Sequence, residues 1–522
     1  MDSRIKLATL ALALVLSASL IAVSASDDAE AADGVPATGD LTLQGDMGGI
    51  GAHTFEAGDT LTITNQFSIE NFEFVFEEGS VISIMDMPQE IVGSVTISSD
   101  GALSVNIGET ISITSGTLDI TADTQSMSIS GLDVTGSLSN GMQLQAGIAS
   151  ISIDSGTSTT VASDIHMTFG YTISQSSEGS IQAFLDGPHI DIGGVEVRDG
   201  TTTILSASAI SLDIEMNQAT TTQTAIVSAS VGSLQIGGTT GSISVRDVSA
   251  EFNLSAEGDM SGITTGTFVG SMHIDARVSV GDFEYDVISG NETSSLNIND
   301  IEASGSFDAD VSETSITLTS DGATSIRVGG ATFDSTQGKM ELSNANLSVS
   351  VTMTSPMQST QPVLTAQTNS LKASVDGTIS SFYFNTDGGS ITMRDVELDI
   401  GLDSDSAQST SGSIGARIFQ SDNTDGEGTK WMMENFIADI DNNTVSADRG
   451  IKTLANGTNE YYTQVHEDPQ TGEFTGTPSD PFEIDADGGG DDNTILYIAI
   501  VVVVIVIIAV IAVMVSRRKK SV

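Results

Sequence analysis

Short bursts of alternating apolar and small polar residues recur along residues 41–402. Typical bursts run from Leu61 to Thr64, from Ser94 to Ser98 and from Ser150 to Ile153. Alternation with a period of two indicates a β-strand with one buried face, whereas a helix repeats its apolar positions every 3.6 residues. The bursts recur about every 7–10 residues and are separated by Gly, Asp, Asn and Ser, which favour turns. The pattern therefore predicts an all-β protein.

The apolar positions of these bursts are mostly Ile, Val, Leu and Ala, and aromatic residues make up only 5% of the chain. Many strands with narrow buried side chains suit a thin core that is stacked from similar units, each touching only its neighbours. We therefore expect an elongated, repetitive β-solenoid or a long twisted β-sheet. Strand direction stays open, because short strands at this spacing suit both parallel coils and antiparallel meanders.

An internal duplication supports a repetitive body. The eight residues that begin at Gly241 return, with conservative changes, as the eight that begin at Gly389. Together with a second matching block upstream, this pairs residues 190–254 with residues 326–402. A duplicated segment of this length is typical of repeat architectures.

The duplicated segment breaks its own alternation at one point. The apolar positions step by three from Val245 to Val248, across Arg246 and Asp247. Such a step must be absorbed by a β-bulge or a corner. We expect a solvated corner with a local ion pair here, and the same at Arg394 and Asp395 in the second copy.

Composition divides the chain into seven segments. Residues near 42–90 are richer in Phe and Glu and suit a cap over an open strand edge, and residues 441–494 lose the alternation and gain Pro and acids. The predicted segments are a signal peptide (1–25), an N-terminal β capping region (41–95), a repetitive β body (96–402), a small β patch (413–440), an acidic stalk (441–494), a transmembrane helix (495–515) and a cytoplasmic tail (516–522).

Both ends of the chain carry membrane signals. Arg4 and Lys6 precede an apolar run that ends in small residues near Ala25, which is the order of a secretory signal peptide. Residues 495–515 are apolar apart from one tyrosine, long enough to cross the ~30 Å hydrocarbon core as a helix. Four basic residues follow and predict a cytoplasmic stop-transfer signal: Arg517, Arg518, Lys519 and Lys520. The predicted location is the cell membrane, with a single span and the N-terminal part outside.

Charge and cysteine content exclude several functions. The chain has a formal net charge of −53 and no cysteine. A strongly negative field repels phosphate backbones, which excludes nucleic acid as a partner. Without cysteine there are no disulfides, thiolate metal sites or thiol catalysis. We expect no cofactor and no metal site, although the acidic surface leaves cations open as partners.

One string has a catalytic pattern. Asp154, Ser155 and Gly156 are similar to the catalytic loop of pepsin-like aspartic proteases. That chemistry needs two carboxylates that share one proton, and the sequence holds no second loop of this kind, so Asp154 is kept only as a rival candidate and no enzyme is expected. The five histidines show no metal-ligand spacing. They are His53, His166, His189, His273 and His466.

Five Asn-x-Ser/Thr sequons lie in the region that we expect to be exported. In an exported chain such sequons are candidate sites of glycosylation. They begin at Asn253, Asn291, Asn346, Asn442 and Asn456.

The layout of signal peptide, acidic Ser/Thr-rich β ectodomain without cysteine, and C-terminal anchor resembles the single-span surface proteins of archaea. This resemblance implies a non-enzymatic scaffold or adhesin of the cell envelope, with other envelope proteins, glycans or cations as partners. Strands such as Ala209 to Ile214 are also similar to the repeats of AsmA-like lipid-transfer proteins, which are long twisted antiparallel sheets with one open apolar face. That second resemblance implies a carrier of lipid or another hydrophobic ligand.

Overall fold

The computed structural model describes residues 36–484 apart from short gaps. The gaps are residues 85–86, 140, 176–180, 220, 239–240, 259–268, 290–291, 312–314, 337, 357–369, 387–388, 404–408, 424–428 and 469–472. The predicted signal peptide, transmembrane helix and cytoplasmic tail lie outside the described residues. Every regular element within them is a β-strand, which confirms the all-β prediction.

The chain divides into two compact units, the first comprising residues up to 239 together with 243–270. Consecutive strands of this unit pair antiparallel from β5 to β12. Its strands are β1 (Leu41–Phe55), β2 (Thr60–Phe76), β3 (Val81–Ile84), β4 (Met87–Glu90), β5 (Val95–Ile107), β6 (Thr110–Ala122), β7 (Gln125–Ser137), β8 (Met142–Asp154), β9 (Ser158–Gln175), β10 (Ile181–Asp199), β11 (Thr202–Gln218), β12 (Thr222–Gly238) and β13 (Gly241–Gly258).

The second unit has the same plan, with consecutive antiparallel pairing from β15 to β24. Its strands are β14 (Gly270–Ser289), β15 (Glu292–Val311), β16 (Ser315–Ser335), β17 (Gly338–Pro356), β18 (Ser370–Thr386), β19 (Gly389–Asp403), β20 (Ser409–Asn423), β21 (Lys430–Asp439), β22 (Thr444–Thr453), β23 (Asn459–Glu467) and β24 (Phe474–Pro478).

The first three strands differ from the rest because they pair in parallel. Leu41 of β1 lies opposite Leu61 of β2, and Thr60 of β2 lies opposite Val81 of β3. Parallel strands joined by short turns form a coil, so the chain starts as a parallel coil before it becomes a meander. The second part of β2 makes the change, since it pairs antiparallel with β5, for example through Phe67 and Val105.

The strands are longer than the bursts in the sequence. From β5 to β20 they run from 13 residues in β5 to 21 in β16. Two-residue turns such as Asp123-Thr124 and Gly200-Thr201 join some of them into hairpins, as expected where residues with positive φ are available. A single strand therefore contains two of the bursts, separated by an interruption that lies inside the strand and not in a turn.

Each unit has its own buried core. In the first unit the core gathers side chains from β1–β8, including Phe55 and Phe76, whose ring centroids lie 4.7 Å apart. In the second unit it gathers side chains mainly from β18–β24, including the stacked rings of Phe419 and Phe436 and the single tryptophan, Trp431. The buried phenyl and indole rings of the described residues belong to these two cores.

The region between residues 441 and 484 differs from the expected stalk. Strands β22, β23 and β24 lie there and continue the antiparallel sheet from β21. The sheet extends this far because each strand still supplies a buried apolar side chain, namely Ala447, Val465 and Phe474. Residues 485–494 of the predicted stalk lie outside the described residues.

Candidate functional site

A row of residues with unusual backbone conformation crosses the strands near their middles. Strand β2 and every second strand from β9 to β23 contain one non-glycine residue whose φ lies between +48° and +55°. L-residues rarely adopt this left-handed conformation, and Asn and Asp tolerate it best. We call these residues crease positions; they are Asn71, Asp164, Ala209, Asp247, Asp300, Asn344, Asp395, Asn435 and Gln464. In β7 the corresponding residue is Gly131, with a φ of +62°.

On β10 and β16 the residue opposite the crease position is a glycine. Ile165 pairs with Ile192 and Ser163 pairs with Gly194, so Asp164 lies opposite the intervening Gly193. A Cβ atom added to Gly193 would lie 2.8 Å from the Cβ of Asp164. The same relation holds for Gly329, whose added Cβ would lie 2.7 Å from that of Asp300. Glycine is favoured at these two positions because the crease residue occupies the space that a side chain would need.

The crease explains the interrupted alternation of the sequence. Across the second corner the pairing of β19 with β20 keeps its register, from Arg394–Ile418 to Val396–Ala416. Neighbouring strands therefore bend together, and a step of three keeps the apolar side chains on one face. The corners expected at Arg246-Asp247 and Arg394-Asp395 are confirmed, because φ is +52° at Asp247 and +49° at Asp395. Asp395 of the second corner takes part in an ion pair with the neighbouring strand. The carboxylate of Asp395 lies 2.5 Å from Nε of Arg417 on β20.

The same signal is present on the other alternate strands, where it was missed. It consists of an apolar residue, any residue, then Asp, Asn, Gly or Ala, and a second apolar residue. Ala162 to Ile165 and Ile298 to Ile301 are examples. Only the duplicated copy was recognised from the sequence, because its flanking residues are also repeated.

One face of the first unit is apolar on both sides of the crease. Across β5–β12 the residues directly opposite one another form two rows. The first apolar row contains Val105, Ile113, Val134, Ala146, Met167, Ile190, Leu212 and Ala229. The second apolar row, on the other side of the crease, contains Leu118, Ile129, Ile151, Ala162, Val195, Ala207 and Leu234.

The side chains of both rows become less buried from β5 to β12, although every member is apolar. Val134 and Ala146 in the first row are buried, whereas Met167 and every later member are only half-buried. In the second row the change comes after Ile129, and Ile236 beside its end is 41% exposed. Strands β9–β12 therefore carry an apolar face that the protein covers only in part.

The opposite face of the same strands is polar. Serine hydroxyls pair across neighbouring strands, as in Ser208 with Ser233 and Ser211 with Ser230, with oxygens 2.7 Å apart in both pairs. Hydroxyl pairs of this kind satisfy one another and remain accessible to water. The two apolar rows contain no polar side chain, whereas the opposite face carries these serine pairs.

In the second unit the burial of the apolar face increases along the chain. The corresponding row begins with the half-buried Ile301 and Val328 and continues through the buried Ala345 and Ile379. Its last member, Phe436, is 1% exposed. The partly covered part of this unit therefore lies on β15 and β16.

Four of the five predicted glycosylation sites lie among the described residues, and Asn291 lies outside them. Asn346 on β17 is exposed. Asn442 and Asn456 are exposed in the turns that follow β21 and β22. Asn253 on β13 is half-buried, and its side-chain amide donates to Glu251 at 2.9 Å. Glycosylation at these sequons stays a prediction.

Asp154 lies at the start of the β8–β9 turn. Its carboxylate accepts a hydrogen bond from the backbone N–H of Gly156 at 2.7 Å. This contact is typical of an Asx turn, in which an aspartate closes its own turn. The contact accounts for Asp154 as a turn residue, and the hydrolase reading stays a minor hypothesis.

Two histidines each lie between two aspartates. The ring nitrogens of His189 are 2.7 Å from Asp186 and 2.8 Å from Asp213, and those of His273 are 2.7 Å from Asp308 and 3.0 Å from Asp275. For His189 the hydrogen bond to Asp186, then that to Asp213, raises the pKa above its ordinary value. For His273 the bond to Asp308 is the larger cause of the same rise in pKa.

The other three histidines have different surroundings. His53 is buried, and its ring nitrogens lie near the backbone oxygens of Pro36 and Gly39. His466 lies near the hydroxyl of Thr475, and His166 is exposed on β9. In the described part of the chain, no group of three or more His, Asp or Glu residues is arranged to hold a metal ion.

The stop-transfer residues Arg517, Arg518, Lys519 and Lys520 and the predicted span before them lie outside the described residues. Within the described ranges no helix is long and apolar enough to span a membrane. The chain matches no protein-family model, and no curated protein or solved structure is significantly similar to it.

Proposed function

We propose that this protein binds a lipid with a neutral headgroup and an alkyl chain, along the half-buried apolar face of β9–β12. The proposal rests on the two apolar rows. Their members stay apolar from β5 to β12, while their side chains become less buried. Large apolar patches are uncommon on monomeric proteins and often mark a binding site. A ligand that covered these rows would remove apolar surface from water, worth about 25 cal/mol per Å².

The chemistry of the face favours an alkyl chain over a peptide. A peptide brings backbone N–H and C=O groups that must find hydrogen-bond partners when buried, and the two rows offer none. The net charge of −53 disfavours an anionic headgroup, because like charges repel. A neutral lipid meets both conditions.

The predicted anchor suits this function. A chain held to the membrane by residues 495–515, with its β body outside, would meet lipid directly from the bilayer. In this proposal the protein is a membrane-anchored, non-enzymatic carrier at the cell surface.

Bound lipid in the purified full-length protein tests the proposal. Native mass spectrometry is expected to detect neutral lipid on the wild type. Leu212→Gln should lower occupancy about fivefold to tenfold, which corresponds to the loss of about 1 kcal/mol of apolar contact. Ser211→Gln is the matched control, since Ser211 is the next residue on β11 and faces the polar side.

Both variants keep the membrane anchor, so lipid that surrounds the anchor contributes equally to each. The proposal fails if the wild type carries no more lipid than Leu212→Gln, or if the two substitutions lower occupancy by the same amount.

A surface scaffold or adhesin, the first expectation from the sequence, is here the second candidate and is favoured by a different observation. The polar face is covered with serine hydroxyls, and the sequons at Asn346, Asn442 and Asn456 are exposed. Such a face suits contacts with envelope proteins, glycans or cations. Chemical cross-linking on intact cells should then capture one envelope protein reproducibly and in near-equal amount. Capture that varies between preparations would argue against a scaffold.

A further inference from the structure

A partly enclosed apolar cavity lies inside the first unit, between the two halves of the bent sheet. The cavity has a volume of about 110 Å³. Phe67 and Phe72 line it from the two sides of the crease in β2, and Leu103, Val105 and Leu132 line it from β5 and β7. Strand β3 of the parallel coil adds Ile82. The cavity is therefore formed where the coil meets the bent sheet.

The lining offers no polar group to a ligand. Thr64 is the single lining residue that is not aliphatic or phenyl. Its hydroxyl already donates to the backbone oxygen of Leu43 at 2.7 Å. Water needs two to four polar partners, so an apolar cavity of this kind stays dry, and one of about 150 Å³ binds benzene or xenon.

The side chains that line this cavity are less closely packed than those of a protein core. Cores are close-packed, and side chains that face a void lose their van der Waals contacts. The residues around the cavity are otherwise well buried, for example Phe72 at 3% and Val105 at 9% exposure. A ligand that filled the space would restore the missing contacts.

The cavity also lies at the buried end of the first apolar row. Val105, Ile113 and Val134 belong to the row and line the cavity. From Val134 the row continues through Ala146 to Met167, where the half-buried part begins. The apolar lining is thus continuous from the cavity to the face that we propose as the lipid site.

We propose that the cavity binds the methyl end of an alkyl chain whose remaining carbons lie along the first apolar row. This inference rests on the proposed function and adds to it a fixed end for the chain. A fixed end selects for length, because the headgroup must still reach solvent beyond the half-buried residues. The site would therefore prefer alkyl chains of one length over shorter and longer ones.

Photo-crosslinking with long-chain fatty alcohols tests the position of the methyl end. One probe carries a diazirine at the methyl end and a second carries it beside the hydroxyl group. With the full-length protein in nanodiscs, the methyl-end probe should label β5 and β7, and the hydroxyl-end probe should label β10–β12. Peptide mapping by mass spectrometry identifies the labelled residues.

Two valine variants control for general effects on the core. Val105→Leu adds one methylene group next to the cavity and should shift the preferred alcohol to a shorter chain, with less labelling of β5 and β7. Val95→Leu makes the same change on the same strand, at a buried residue that does not line the cavity, and should leave the preferred length unchanged. Because each change is small, both variants are expected to fold.

The outcomes separate the two proposals. Labelling of β10–β12 by both probes would overturn the fixed end and leave the lipid site in place. No labelling of either region would overturn both. An equal shift in preferred length with Val95→Leu would also count against the cavity.

Discussion

The contact between a crease position and the small residue opposite it can be tested by substituting both partners. Ala209 has a φ of +50° in β11, and Gly232 on β12 lies opposite it because Ser208 pairs with Ser233 and Ile210 with Val231. In Gly232→Ala the new Cβ would lie 2.9 Å from the Cβ of Ala209. In the double variant Gly232→Ala with Ala209→Gly, the atom that causes the clash is absent.

The expected free energies follow from this geometry. A carbon–carbon contact well below the optimal 3.5–4.0 Å forces the neighbouring backbones apart, and overpacking of this kind costs about 1–3 kcal/mol. Ala209→Gly alone relieves an L-residue in the left-handed region by roughly 1 kcal/mol and loses about 0.4–1 kcal/mol through a more flexible unfolded chain. It should be close to neutral, and the double variant should recover about 1–3 kcal/mol relative to Gly232→Ala.

Local stability is the appropriate measurement, since a long repetitive sheet need not unfold in one step. Native-state hydrogen exchange of peptides from β11 and β12 reports the free energy of local opening. Gly237→Ala on the same strand is the matched control, because no atom lies within 4 Å of its added Cβ, and it should stay within about 0.5 kcal/mol of the wild type. The reasoning is refuted if the double variant exchanges as fast as Gly232→Ala.

Two further predictions concern polar groups. Ser115 is 6% exposed and its hydroxyl has no hydrogen-bond partner in the described structure, so Ser115→Ala should raise the free energy of unfolding by about 1 kcal/mol. Ser130→Ala, which breaks a 2.7 Å bond to Ser150, should lower it by a similar amount, and a loss of stability in Ser115→Ala would contradict the first expectation. The raised pKa of His189 means that the charged ring stabilises the folded state below about pH 6.5 and that this contribution is lost as the pH rises through the folded-state pKa. The difference in unfolding free energy between wild type and His189→Gln should therefore shrink from about pH 5 to pH 9, and a difference that grew would contradict the assignment.

The parts of the fold that depend on local pattern could be predicted from the sequence. The alternation predicted strands, and the step from Val245 to Val248 predicted a bend. Both depend only on the side of the backbone on which each side chain lies. The duplication also corresponds to structure. Residues 190–254 and 326–402 end in equivalent strands, with crease positions at Asp247 and Asp395.

The features that depend on distant parts of the chain could not be predicted. Alternation is the same in parallel and antiparallel strands. The change from parallel to antiparallel pairing along β2 therefore left no local signal in the sequence. The crease divided each long strand into two bursts that resembled separate short strands. The degree of burial could not be predicted either. The alternation shows that Leu212 and Val134 lie on the apolar face, but it does not show how closely the opposite half of the sheet approaches each side chain.

From β7 to β23 the left-handed residues of the crease lie on every second strand, and this order restricts how that part of the sheet can lengthen. A single inserted strand there would bring two left-handed residues side by side or place two strands between them, whereas an inserted hairpin preserves the order. The order is absent before β7, where Gly101 and Gly116 lie side by side on β5 and β6. The two copies that begin at β10 and β16 are displaced by six strands, an even number that keeps Ala209 and Asn344 in equivalent places. Growth and loss during evolution should therefore occur in whole hairpins, so that related chains differ in length by pairs of strands.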